Sequence, residues 1–108
     1  MARKESQAQK VERVSRELGV AVKREAAGRW TAVRTGDREE KNGHAWRFRP
    51  TPGGDVRYLR VTHAAMVEGE NPVAALLGHL SAANWLDRLD GADTSLVLHT
   101  GGRVVARA

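Results

Sequence analysis

Asn71-Pro72-Val73-Ala74-Ala75-Leu76-Leu77-Gly78-His79-Leu80-Ser81-Ala82-Ala83-Asn84-Trp85-Leu86-Asp87-Arg88-Leu89-Asp90 is the longest and most apolar helical pattern in the chain. Its start is well marked. Asn71 suits the N-cap, and Pro72 follows at the first helical position, where a missing N–H costs nothing. Glu68 and Glu70 lie just ahead, near the positive end of the dipole. At about 100° per residue the apolar residues separate into two stripes. Val73, Leu76, Leu77, Leu80 and Ala83 form one; Ala75, Gly78, Ala82, Trp85, Leu86 and Leu89 form the other. An amphipathic surface helix needs only one stripe, so this pattern predicts two neighbours. The small-residue side fits close packing on a sheet. The side carrying Val73, Leu76, Leu77 and Leu80 must be covered by the N-terminal helix or by a second chain.

The 108 residues are enough for one domain with a modest core. With 41% hydrophobic and 29% charged residues, the composition is that of a globular chain, not a disordered one. There are no cysteines, which removes disulfides and thiolate metal sites. No secretory signal follows Met1, and no apolar run approaches membrane-spanning length, so a cytoplasmic location without membrane contact is the expectation. Charge is unevenly spread. Residues 1–63 carry 15 Lys and Arg against 8 Asp and Glu, whereas residues 64–108 carry 3 against 5. A basic first half points to a polyanionic partner, although excess charge also serves solubility and 14 of the 18 basic residues are Arg.

Working outward, Met1 to Glu5 reads as a flexible basic arm ahead of a single α+β domain over residues 6–108. Ser6 and Gln9 have the spacing of a capping box. Ala8, Val11, Val14 and Leu18 then recur at helical spacing until Gly19. Val20–Glu25 either continues that helix or alternates as a strand, and we take Val20–Glu25 and Trp30–Thr35 as a hairpin. Residues 36–43 read as a charged connecting loop. Ala45–Arg49 is a clean strand with aromatic and Arg alternating, Pro50–Asp55 a turn, and Val56–His63 the returning strand. Past the helix, Ser95–Thr100 and Arg103–Arg107 flank Gly101-Gly102, which suits a tight primed turn. The expected order is α-β-β-β-β-α-β-β, an antiparallel sheet of five to six strands with helices on one face. This order resembles that of small secretion-chaperone-like domains; no motif carries the likeness, and no residue role follows from it.

The sharpest constellation lies on the sheet. Side chains alternate across a strand. If Trp46, Phe48, Leu59 and Val61 face the core, the opposite face displays Arg47, Arg49, Tyr58 and Arg60, joined by Lys23, Trp30 and Arg34 if their strands align. Guanidinium groups beside rings are the chemistry of single-stranded DNA or RNA binding, phosphates meeting Arg while bases stack. The plainer reading is a solvated sheet face whose Arg methylenes cover their neighbours. His44, His63, His79 and His99 lie on separate elements without ligand spacing, so no metal or other cofactor is expected. No serine has an adjacent base and no glycine pair has a phosphate-cradle pattern, so the expectation is a binding module and not an enzyme. The alternative is a protein-interaction or homodimeric adaptor using Val73, Leu76, Leu77 and Leu80.

Overall fold

The computed structural model describes residues 5–29, 36–49, 55–91 and 95–107. A capping box opens the chain as its spacing predicts. The Gln9 N–H donates to Ser6 Oγ at 3.2 Å, and the Ser6 N–H donates to Gln9 Oε1 at 2.9 Å. From there one helix, α1 (Gln7–Arg29), runs unbroken. The strand expected at Val20–Glu25 is therefore the helix continuation. Val14, Leu18, Val22 and Ala26 recur every four residues and are fully buried, so the helical period persists through the two β-branched residues. Gly19 does not stop the helix. It lets α1 lie close on the sheet, where an added Cβ would stand 2.8 Å from Trp46 Nε1. The expected strand Trp30–Thr35 falls outside the described residues.

Residues read as a charged loop form the first strand instead. β1 (Gly36–Glu40) pairs antiparallel with β2 (Gly43–Phe48), and Lys41-Asn42 makes the turn. Its charges are those of an edge strand, where they discourage pairing with another chain. β2 pairs antiparallel with β3 (Arg57–Thr62). Thr62 ends that strand and caps the short helix α2 (His63–Met66) by accepting from the Ala65 N–H.

The long apolar helix is two helices. α3 (Pro72–Ala82) begins at Asn71-Pro72 as read, although the Asn71 side chain makes no capping bond. Asn84, in the left-handed region at φ 53° and ψ 50°, then re-aims the chain into α4 (Trp85–Asp90). Along one continuous helix Leu80 and Trp85 would lie roughly 140° apart. The break turns both inward: Leu76 and Leu80 of α3, and Trp85 and Leu89 of α4, all sit in one core. The first stripe lies on α3 and faces the core, whereas of the second stripe only Trp85, Leu86 and Leu89 lie on α4. Ala75, Gly78 and Ala82, expected against the sheet, are exposed.

β4 (Ser95–Leu98) pairs parallel with β3, and β5 (Val104–Arg107) pairs antiparallel with β4. The sheet order is β1-β2-β3-β4-β5, a mixed but mostly antiparallel sheet in an α+β fold. Gly101 and Gly102 have positive φ, as a primed turn requires, but Thr100 joins them in a wider loop closed by the His99 N–H donating to Arg103 O at 2.8 Å. Glu68 accepts from the Gly101 N–H at 2.9 Å, so it ties this loop to the segment before α3. Arg29 joins the end of α1 to α4 through Asp87 at 2.6 Å and Asp90 at 3.2 Å. The hydrogen bond to Asp90, then the charge of Asp87, hold its guanidinium pKa above the ordinary value. No helix among the described residues is long and apolar enough to cross a membrane.

Two glycines in helices separate the packing constraint from helix propensity. Gly19→Ala should destabilise the fold by about 1–3 kcal/mol, because the new methyl meets Trp46. Gly78→Ala, with open space around it, should stabilise by up to about 1 kcal/mol. Urea midpoints of the two variants are expected to move in opposite directions. A second pair tests the helix break: Asn84→Gly should be close to neutral, and Asn84→Val should cost about 1–2 kcal/mol.

Candidate nucleic-acid interface

Register fixes which side chains share each face of the sheet. His44 pairs with Val61, Trp46 with Leu59, and Phe48 with Arg57, while Leu59 and Val61 pair with Leu96 and Leu98. Trp46, Phe48, Leu59, Val61, Leu96 and Leu98 are buried together with α1, α3 and α4. The aromatic and aliphatic pairs therefore face the core. Arg57 shares that face and is drawn inward, its Nε donating to Leu89 O at 3.0 Å. The alternate residues form the outer face, and no helix among the described residues packs on it.

Two register rows cross that face. In one, Arg38 stands beside Ala45, Ala45 beside Arg60, Arg60 beside Val97, and Val97 beside Val105. In the next, Arg47 stands beside Tyr58, Tyr58 beside Ser95, and Ser95 beside Arg107. Small residues occupy the middle, and Ala45, Ser95 and Val97 are only 5–6% exposed. Long side chains cover them. Arg60 is the hub: its guanidinium lies 4.8 Å from the Tyr58 ring centroid, Nε donates to Glu40 at 3.0 Å, and Nη1 donates to Ser95 Oγ. With Arg60 and Glu40 less than a third exposed, this is a half-buried, hydrogen-bonded pair and not a loose surface contact. Arg38 reaches the same carboxylate at 3.8 Å and is otherwise 81% exposed. Arg47 is exposed and makes no ion pair with any described residue.

The predicted set is thus partly brought together. Arg47, Tyr58 and Arg60 are neighbours on one face. Arg49 follows the end of β2 and is half-buried. Lys23 does not join them: as a residue of α1 it lies on the opposite, helix-bearing side, because its segment is not a strand. Trp30 and Arg34 fall outside the described residues. Arg38 and Glu40 were missed, since their segment reads as a loop: all four of Asp37, Arg38, Glu39 and Glu40 are charged, so no apolar alternation marks the strand. The other proposed surface fares differently. Leu76 and Leu80 are enclosed by this chain's own core, with Val73 and Leu77 partly buried beside them. Among the described residues no cluster of His, Asp and Glu is arranged to hold a metal ion. Comparison with protein-family models, with curated proteins and with solved structures finds no match to this chain.

Proposed function

We propose that this chain is a small binding module, not an enzyme, that takes single-stranded nucleic acid on the uncovered face of its sheet. The observation that carries the reading is the register placing Arg38, Arg47, Tyr58 and Arg60 side by side on the face opposite the helices. Arg38 extends from β1 and Arg47 from β2, and they supply charge for phosphates. The Arg60 guanidinium lies over the Tyr58 ring, and the two groups offer the surfaces on which bases stack, aromatic rings and Arg planes alike. The patch spans three strands, about 10 Å across at about 4.8 Å per strand. That width matches a sheet that holds about two or three nucleotides. A sheet face with no helix upon it among the described residues favours a flexible single strand over a duplex groove.

Glu40 sets a limit on affinity, because its carboxylate partly neutralises Arg60 and lies near Arg38. Binding is therefore weak and sensitive to salt. A homodimer through Val73, Leu76, Leu77 and Leu80 draws no support from a stripe whose Leu76 and Leu80 are already enclosed.

Fluorescence anisotropy with labelled homopolymeric DNA and RNA single strands tests this at low and moderate salt. Arg47→Ala should weaken binding to every sequence and reduce the slope of log K against log salt by about 0.7. Glu40→Gln should tighten binding by releasing Arg60. Absence of binding at low salt would sink the proposal.

A further inference from the structure

An open sheet has two edges, and in this one they differ in kind. Among the described residues β1 pairs only with β2, and β5 pairs only with β4. Each edge therefore presents backbone N–H and C=O groups without a strand partner among those residues, and such a row is a template for another strand. Proteins commonly blunt their edges with charge. β1 is blunted along its length: after Gly36 every residue in it, Asp37, Arg38, Glu39 and Glu40, is charged. β5 is not. Val104, Val105 and Ala106 make up its run, with Val105 39% exposed and Ala106 exposed. Its charges stand at the two ends, Arg103 just ahead of the strand and Arg107 closing it.

The charges of the two edges are opposite in sign. β1 carries three carboxylates against the guanidinium of Arg38, while residues 103–107 carry two guanidiniums and no carboxylate. Lys41 lies past the strand, in its turn. Glu40 is held by Arg60, and Glu39 is exposed. Like charges facing each other across strands destabilise a pairing, and unlike charges support it. Two copies of β5 would set guanidiniums against guanidiniums, and two copies of β1 would set mostly carboxylates against carboxylates. An acidic β1 beside a basic β5 is the one combination free of this conflict.

Strand direction permits that combination without turning either molecule over. β1, β3 and β4 run one way, and β2 and β5 run the other. Two copies set side by side in the same orientation therefore bring β5 of one antiparallel to β1 of the next, with their helices on the same face. We infer that β5 is a docking edge for β1 of a second copy of this chain, so that copies join head to tail into one continued sheet. Main-chain hydrogen bonds supply the attraction, and the edge charges select the partner. Each added copy leaves a β1 and a β5 unfilled, so growth does not stop at a dimer. The inference is independent of the nucleic-acid reading, which concerns a face of the sheet and not its edges.

The test is sedimentation equilibrium of the full chain, free of nucleic acid, at low and at moderate salt. At low salt the average mass should rise past that of a dimer, with a junction Kd of about 0.1–1 mM, as a small interface implies. Added salt should lower it again, because the paired charges are exposed. Arg103→Glu and Glu39→Lys, both at exposed positions, should each weaken association about tenfold, the upper end for reversing a cross-strand charge pair. Each variant keeps one native edge, β1 in Arg103→Glu and β5 in Glu39→Lys. Mixed in equal amounts they should form a one-to-one pair with wild-type affinity, and that pair should grow no further. Unfolded chains could not form it, so the mixture also reports that both variants fold. A wild-type chain that stays monomeric at about 2 mM and low salt, well above the expected Kd, would overturn the junction. So would a mass that levels off at a dimer, undiminished association by either variant alone, or a mixture that remains monomeric.

Discussion

The parallel pairing of β3 with β4 constrains the rest of the molecule. Antiparallel neighbours can be joined by a short turn, but parallel ones require the chain to return to the end from which it started. Here residues 63–94 make that return, and they carry α2, α3 and α4 across one face of the sheet. α1 packs on the same side, against α2 and α3 and over Trp46. All four helices are thereby committed to one face. The core forms beneath them, and the other face is left to whatever its own strands display. That no helix among the described residues covers the basic face is a consequence of topology as much as of composition.

Within that crossover, a single backbone residue decides how the core is filled. A straight helix from Pro72 to Asp90 would bury either the Leu76–Leu80 stripe or the Trp85–Leu89 stripe. Left-handed Asn84 allows both. Trp85 then meets Phe48 at 5.7 Å between ring centroids, closing the core at the far end of β2. Asn is among the few non-glycine residues that adopt this conformation at modest cost. The local backbone choice and the global packing therefore agree, which is what a uniquely folded sequence requires.

What could be read in advance follows from the same physics. The alternation in β2 and β3 and the apolar period of α3 are strong local signals, and they placed Trp46, Phe48, Leu59 and Val61 inward correctly. The capping box at Ser6 and Gln9 was equally legible, because both partners lie within one turn. The errors arose where a local signal had a tertiary cause. Gly19 looked like a helix stop, yet it is present because α1 approaches the Trp46 indole too closely for a Cβ. β1 looked like a loop because an edge strand is free to carry charge on both faces. The second stripe looked like a second neighbour because periodicity assumes a continuous helix, and Asn84 breaks it. Of the candidate site, Arg47, Tyr58 and Arg60 followed from alternation alone. Arg38 and Glu40 required knowing that their segment pairs with β2.

The plain and the functional accounts of the outer face meet at Arg60. Its methylenes and guanidinium cover Ser95 and lie over Tyr58, as a solvated sheet face needs to protect its small central residues. The same contacts fix the guanidinium in one orientation, so little side-chain entropy remains to be lost when a ligand stacks on it. Glu40 holds Arg60 from the β1 side and lowers the net charge at the centre, leaving Arg47 exposed and without an ion pair among the described residues, and Arg38 largely exposed at the periphery. A partner drawn in by charge would engage those outer guanidiniums first and reach the stacked pair second. On the proposed reading, affinity would be governed by competition between Glu40 and a phosphate for Arg60. That pair is half-buried and little screened, so salt acts most strongly at the exposed Arg38 and Arg47.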